Sequence, residues 1–295
     1  MAASGRRILW LNLEYLSAED WIVGCHALPS LQANGLQKYF FFPGFEAQTG
    51  GLIREADLLL RRAAYQGDAA HQADFLATLG VVRQPGARLL SLFAYENPAV
   101  AGWLNALADD ARANQLLVPE GRVLGDVAAW LDVPALRVGD HHQRGSLQVV
   151  VVPFMTQDEY DLLLWSCDFN AVRGEESFIR AQWAGRPLVW HIYPQEDDAH
   201  WDKLDAFLDL YTTTWRLRAI PRCAISGAPG MRGRGRVRPG GPCWANIRHC
   251  SSMPKPGRTG RSPMAIWPES WCFFTQIGYD TRPVFLSHIP FRIFV

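Results

Sequence analysis

The sequence predicts an α/β fold built on a largely parallel sheet. Between residues 7 and 211, short apolar runs alternate with segments whose apolar residues recur at helical spacing, and this alternation is typical of β-α-β units. The run Val149–Val152 shows no polar alternation, as expected of a strand buried on both faces. With 48% hydrophobic residues in 295 positions, the chain is long enough for two domains of ordinary size.

Six apolar runs are predicted to be strands because they are short and bounded by turn-forming residues. They are RILWLNL (7–13), KYFFFPGF (38–45), ARLLSLFAY (87–95), NQLLVP (114–119), SLQVVVVPF (146–154) and PLVWHIYP (187–194). The polar segment with Asp140, His141 and His142 lies just ahead of the fifth run. Because it has no apolar alternation, we predict a loop there.

Six further segments are predicted to be helices because their apolar residues recur every three to four positions. They are DAAHQADFLATLG (68–80), NPAVAGWLNALADDARA (97–113), DVAAWLDV (126–133), QDEYDLLLWSC (157–167), EESFIRAQWAG (175–185) and EDDAHWDKLDAFLDLYT (196–212). In the last of these, an apolar face is formed by Trp201, Leu204, Phe207, Leu208 and Tyr211.

The formal net charge of zero conceals two different compositions. Residues 1–214 carry 16 basic and 27 acidic side chains, whereas residues 215–295 carry 13 basic and 2 acidic ones. The later part is rich in Gly, Pro and Arg and shows no helical or strand period. Such a segment cannot bury enough apolar surface to offset its ordering entropy, so we expect residues 213–295 to be a disordered tail.

Three interpretations of this tail remain open. The run RGRGRVR (232–238) resembles Arg-Gly segments that bind nucleic acid. A metal module would use the cysteines Cys223, Cys243, Cys250 and Cys272, which lack CxxC pairing. We favour a frameshift near Thr212–Trp215, because only one of the 13 basic residues is lysine and Trp, Cys and Pro are scattered without pattern.

The sequence also bears on location. It has no run of about 18 or more uncharged apolar residues, so no membrane span is predicted. The first apolar run is followed by Glu14, Glu19 and Asp20 and by no small-residue cleavage pattern. We therefore expect a cytoplasmic protein without a signal peptide.

The candidate site lies where an apolar stretch meets a predicted helix, at Arg173–Ser177. A helix that begins after a parallel strand presents unpaired backbone N–H groups and a positive dipole end at the carboxyl edge of the sheet. Anionic ligands bind at this edge in open α/β sheets. Gly174 permits a tight turn, Ser177 offers a hydroxyl, and the guanidinium of Arg173 suits a diphosphate.

The adjacent carboxylates of Glu175 and Glu176 need a separate explanation, because carboxylates repel phosphates. One would face sugar hydroxyls while the other accepts the helix's own N–H groups. An ordinary helix start explains them equally well, since acidic residues are common in a first turn. From spacing alone, both interpretations stay open.

Longer stretches of the chain resemble a known family. WLNLEYLSAEDW, GCHALPS, KYFFFPGF, TGGLIRE, SLFAYEN and the continuous segment from VVPFMTQDEY through WDKLDAFL are similar to the protein-arginine rhamnosyltransferases that modify bacterial translation elongation factor P. The similarity covers about residues 7–211. It implies the GT-B architecture, with two Rossmann-like domains, and transfer of L-rhamnose from dTDP-β-L-rhamnose to an arginine with inversion at the anomeric carbon.

The resemblance also implies roles for particular residues. Glu175 matches a glutamate of the family's active site and is the candidate catalytic residue. The candidate donor-binding residues are Phe93, Tyr95, Phe154, Gln157, Arg173, Gly174, Glu175, Glu176 and Ser177. Without the resemblance, Phe93 and Phe154 would be taken as core residues that end apolar strands. The family implies elongation factor P as the protein partner, and neither a metal, a further cofactor, a membrane nor a direct nucleic-acid partner.

The chain departs from the family pattern in one respect that concerns catalysis. The family's first domain carries an aspartate-bearing loop of the form DNYGDIG, and no such segment occurs in the sequence. We therefore expect residues 1–80 to be the remnant of the acceptor-side domain and residues 81–212 to be the donor-binding domain. A donor-binding fragment without turnover, or another GT-B nucleotide-sugar enzyme, are the alternatives to an active rhamnosyltransferase.

Overall fold

The computed structural model describes residues 9–193, 195, 199–216 and 271–274. They fall into two compact units, which we call the small unit and the sheet unit. The small unit holds residues 9–56, 195 and 199–216, and the sheet unit holds residues 57–193 and 271–274. Among the described helices, none combines the length and the apolar character needed to cross a bilayer.

The small unit contains a three-stranded sheet and two helices. Its elements are β1 (Trp10–Leu13), α1 (Trp21–Cys25), β2 (Pro29–Leu31), β3 (Gln37–Phe41) and α8 (Ala199–Arg216). The strand order is β1-β3-β2, with β1 parallel and β2 antiparallel to β3. Phe207 of α8 is buried, and its ring centroid lies 4.7 Å from that of Phe45.

The sheet unit contains seven strands and six helices among its described residues. The strands are β4 (Arg88–Leu92), β5 (Asn114–Pro119), β6 (His141–Arg144), β7 (Leu147–Val152), β8 (Phe169–Arg173), β9 (Leu188–His191) and β10 (Trp271–Phe274). The helices are α2 (Leu58–Gly67), α3 (Ala69–Thr78), α4 (Ala99–Ala108), α5 (Leu124–Leu131), α6 (Gln157–Ser166) and α7 (Glu176–Ala184).

The sheet has the strand order β10-β9-β8-β4-β5-β7-β6. Its five central strands are parallel, whereas β6 and β10 pair antiparallel at the two edges. Val149–Val152 are buried, which confirms the prediction of a strand covered on both faces. The α/β class and the mainly parallel sheet are confirmed as well.

Helices cover the sheet because alternate strand residues point to opposite faces. Residues of α4 and α5 pack with one alternating set of strand residues, including Leu90, Leu116 and Val149. Helices α6 and α7 pack against β4 and β9, respectively, and against each other. Between α6 and α7, Arg180 Nε donates to Asp161 Oδ1 at 2.9 Å, and both side chains are almost completely buried.

One difference from the sequence-based expectations has a physical reason. The segment with His141 and His142 is not a loop but β6, which pairs with β7 through a turn at Gly145, whose φ is +56°. Its polar composition suits an edge strand with one side exposed. The two compact units divide after Ala56, and α2 and α3 pack against α6 of the sheet unit. The expected disordered tail lies outside the described residues, apart from β10.

Candidate functional site

The candidate site lies at the point where the strand order of the sheet unit reverses. From β4 the chain moves through β5 to β7 on one side, and it then returns to β8 and β9 on the other side of β4. The carboxyl ends of β4 and β8 therefore diverge into loops that leave in opposite directions, and such switch points bind ligands in open α/β sheets. The predicted donor-binding residues all lie at or after the carboxyl ends of β4, β7 or β8.

The turn between β8 and α7 is held by hydrogen bonds from both sides. Gly174 has a φ of +61°, and its N–H donates to the backbone carbonyl of His191 at 3.3 Å. The indole Nε1 of Trp190 donates to the Gly174 carbonyl at 2.6 Å. A Cβ at this position would lie 3.1 Å from the Tyr95 hydroxyl. Glycine is therefore required by both the backbone conformation and the close approach of the tyrosine.

Arg173 is positioned by two aromatic rings. Its guanidinium carbon lies 4.4 Å from the ring centroid of Phe93 and 4.8 Å from that of Tyr95. A cation over the face of an aromatic ring is attracted by the ring's π electrons, and a guanidinium group carries five N–H donors. The arrangement holds a fixed positive charge beside the N-terminus of α7, with a geometry suited to a phosphate or diphosphate.

A second aromatic group adjoins Phe93. The ring centroids of Phe154 and Tyr160 lie 6.4 and 5.7 Å from that of Phe93. Phe154 is 69% exposed, so its interpretation as a core residue is wrong. Burial raises the pKa of Tyr160 well above its usual range, while the Ser177 side chain acts in the opposite direction. The group thus combines an exposed aromatic face with a neutral, buried phenol.

Helix α6 brings Gln157 to the same edge. Thr156 begins this helix with a capping box, in which its side chain accepts the N–H of Glu159 and the Glu159 carboxylate accepts the N–H of Thr156. Gln157 Nε2 donates to Glu176 Oε1 at 3.2 Å. The first turns of α6 and α7 are therefore adjacent, and they place an amide and a carboxylate at the edge that also carries the aromatic group.

The two carboxylates of the β8–α7 junction are in different surroundings. Glu175 is half-buried at the N-cap position of α7, and its side chain makes no capping hydrogen bond. Glu176 is exposed and accepts the bond from Gln157. The expected capping role of one carboxylate is thus not seen for Glu175. Its half-buried position beside Arg173 and Gly174 places it nearer the centre of the site than Glu176.

Sequence reasoning missed four residues at this edge: Glu96, Arg122, His191 and Tyr193. The rings of His191 and Tyr193 pack edge-on against Tyr95, with centroid distances of 5.3 and 5.4 Å. Burial, and secondly the charge of Arg173, lowers the pKa of His191 to about 4. The imidazole is therefore neutral at physiological pH and adds no charge to the site.

One signal in the sequence could have found these residues. Each missed residue either ends a parallel strand or follows such an end within a few positions. Because the carboxyl ends of parallel strands gather at one edge, residues near the ends of the apolar runs that form β4, β5 and β9 are candidates for this edge. The predicted donor-binding residues lie at the carboxyl ends of β4, β7 and β8, at the same edge of the sheet.

Comparisons with known proteins agree on one family. The family described as "Elongation-Factor P (EF-P) rhamnosyltransferase EarP" matches residues 1–224. Protein-arginine rhamnosyltransferases of Pseudomonas aeruginosa and Pseudomonas putida are 66% and 59% identical over 206 and 211 residues, which are 70% and 72% of this chain. These alignments cover 55% and 56% of the two relatives, so the chain spans about half the length of the curated relatives it matches.

A solved structure is similar in both sequence and fold. It concerns EarP-mediated arginine glycosylation of translation elongation factor EF-P, is 53% identical, and superposes with a TM-score of 0.54. The match covers 58% of this chain and 54% of the solved chain.

Proposed function

The chain belongs to the elongation-factor-P rhamnosyltransferase family, and from that premise we propose that it transfers L-rhamnose from dTDP-β-L-rhamnose to an arginine of elongation factor P. The observation that carries the proposal is the guanidinium of Arg173, held over the rings of Phe93 and Tyr95 beside the Gly174 turn and the N-terminus of α7. These three features meet at the switch point of the sheet. We further propose that the complete fold is the GT-B architecture and that the protein acts in the cytoplasm.

The diphosphate of the donor would bind to the β8–α7 junction. Arg173 supplies a fixed charge, and the first backbone N–H groups of α7 supply donors of the kind that bind phosphates. Ser177 lies in the first turn of α7 and adds a hydroxyl. Glu175 and Glu176 would then face the hydroxyl groups of the sugars, since carboxylates accept hydrogen bonds from hydroxyls but repel phosphates.

The thymidine end of the donor would bind beside Phe93, Phe154 and Gln157. An exposed phenylalanine gives an apolar surface on which a planar base can stack. The amide of Gln157 can exchange its bond with Glu176 for one with the polar edge of the base. The exposed position of Phe154 is better explained by such a ligand than by core packing.

The transfer itself would be a direct displacement at the anomeric carbon. A guanidinium nitrogen forms a bond to that carbon while the bond to the phosphate oxygen breaks, dTDP leaves with the electron pair, and the nitrogen loses a proton. A guanidinium is a poor nucleophile because its lone pairs are delocalised and its pKa exceeds about 12. We propose that Glu175 helps to orient the arginine or to accept the proton, and no metal or further cofactor is proposed.

A second candidate is donor binding without transfer. The residues at the carboxyl edge of the sheet unit are those proposed to bind the donor, and donor binding alone needs only this edge. Both candidates bind the donor at the same site, and they differ only in whether rhamnose is transferred to the acceptor. A third candidate is another nucleotide-sugar enzyme with the GT-B architecture, which would prefer a donor with a different base.

One experiment separates these candidates. The chain is incubated with elongation factor P and dTDP-β-L-rhamnose, and the intact mass of the acceptor is measured, with Glu175→Gln as the matched variant. A gain of one deoxyhexose that is lost in Glu175→Gln supports transfer. Binding of dTDP without a mass gain supports the second candidate. Tighter binding of UDP than of dTDP would refute the thymidine-linked donor.

A further inference from the structure

The loop after β5 places a second arginine at the edge of the candidate site. Arg122 lies three residues beyond the end of β5, and its Nε contacts both carboxylate oxygens of Glu96, at 2.9 and 2.8 Å. Glu96 belongs to the loop after β4 that also carries Phe93 and Tyr95. Neither partner of this ion pair has a role in the function proposed above.

We propose that Arg122 is a second phosphate-binding guanidinium of the donor site and that Glu96 occupies its anion position when no donor is bound. The inference rests on the proposed function, because it concerns the same diphosphate. It adds a positioning residue on the opposite side of β4 from Arg173.

The geometry places both arginines at one ring. The guanidinium carbons of Arg173 and Arg122 lie 4.8 and 5.9 Å from the ring centroid of Tyr95. Each positive group thus contacts the same aromatic ring, whose face attracts cations. Two guanidinium groups at one ring suit an anion with two charged centres, and a nucleoside diphosphate is such an anion.

The ionised carboxylate of Glu96 indicates that this region favours a negative charge. The pKa of Glu96 is lowered, chiefly by the hydrogen bond from Arg122, and the charge of Arg173 contributes in the same direction. The carboxylate therefore contacts Arg122 and lies in the field of both guanidinium groups, as a bound phosphate would.

The ion pair is exchangeable, whereas the loops that carry it are fixed. The side chains of Arg122 and Glu96 are 58% and 52% exposed, and exposed ion pairs contribute little to stability. The loops are held elsewhere: the Asp126 carboxylate accepts the N–H of Asn97 at 2.8 Å. A diphosphate with more than one negative charge can thus displace Glu96 without moving the backbone.

Calorimetric titration of the full chain with dTDP tests the inference. Arg122→Ala should weaken dTDP binding by about tenfold, because a charge-assisted hydrogen bond is lost. Glu96→Gln should strengthen binding by about threefold to fivefold, because the competing carboxylate is removed. Arg112→Ala is the matched control. Arg112 is an exposed arginine that precedes β5, at the amino edge of the sheet, and its loss should leave the affinity for dTDP unchanged.

The directions of the two affinity changes distinguish a phosphate-binding role of Arg122 from a purely structural role of the ion pair. If the pair only stabilises the loops, both substitutions break it and should shift the affinity in the same direction. Opposite shifts, together with a double variant that binds dTDP no tighter than Arg122→Ala alone, support the inference. Equal affinity of all variants, or shifts of the same sign, overturns it. If the unchanged chain does not bind dTDP at all, the proposed function itself fails.

Discussion

The buried ion pair between α6 and α7 gives the sharpest stability prediction. Asp161 and Arg180 have side chains that are 1% and 3% exposed, and Arg180 Nε donates to Asp161 Oδ1 at 2.9 Å. Asp161→Asn keeps the shape but removes the carboxylate charge that the buried guanidinium of Arg180 contacts. Removal of one partner of a buried pair typically costs about 3–5 kcal/mol, a large part of the roughly 5–15 kcal/mol that stabilises a domain.

The double variant Asp161→Leu with Arg180→Met should behave differently. It removes both charges and leaves apolar side chains of similar volume, a replacement that is often neutral or stabilising. The free energy of unfolding should therefore recover most of the loss of the single variant. Asp158→Asn is the control, since Asp158 lies in the same helix but its side chain is 80% exposed in its ion pair with Arg61, and it should cost less than about 1 kcal/mol.

Urea unfolding followed by circular dichroism and tryptophan fluorescence measures these differences, with an unchanged slope as the test that only stability has changed. A loss below about 1 kcal/mol for Asp161→Asn, or a double variant as unstable as the single one, would refute the reasoning. The pair also joins the helices that carry Gln157 and Ser177, so Asp161→Asn should weaken dTDP binding as well.

Three further predictions concern the same unit. Gly174→Ala should lower the free energy of unfolding by about 1–2 kcal/mol, and it should also weaken dTDP binding through the Tyr95 contact. Gly80 has a φ of +71° and open space around it, so in the same assays Gly80→Ala should lower stability without changing dTDP affinity. The free energy of unfolding should fall by up to roughly 3 kcal/mol as the pH is lowered from 6.5 to 4, because His191 takes up a proton in the unfolded chain but not in the folded one. In urea titrations over this pH range, His191→Gln should show a smaller fall. Thr156→Ala should cost about 1 kcal/mol in urea, and an unchanged midpoint would contradict the capping role.

The sequence was most informative where local chemistry decides the structure. The runs NQLLVP and SLQVVVVPF end in uninterrupted apolar stretches, LLVP and VVVVPF, and they form the central strands β5 and β7. The order Arg173, Gly174, Glu175 joins the end of a strand to the start of a helix, and the residues of this junction are adjacent in the chain. Residues so close in sequence lie close together in space whatever the arrangement of the other strands and helices.

Long-range packing could not be predicted in the same way. Arg122 and Arg173 are 51 positions apart, and only the strand order brings β5 and β8 to opposite sides of β4. The polar strand β6 gives no apolar signal because its exposed edge needs none. The division after Ala56 depends on the packing of α2 against α6, a contact between segments distant in sequence.

The most direct test of the central claim is the affinity of the chain for dTDP before and after removal of Arg173. Calorimetry should show binding to the unchanged chain, weakened about tenfold or more in Arg173→Ala, because a charge-assisted bond to phosphate is lost. Arg112→Ala should leave the affinity unchanged. If Arg173→Ala binds dTDP as tightly as the unchanged chain, the donor does not bind at the carboxyl edge of β8, and the account is contradicted.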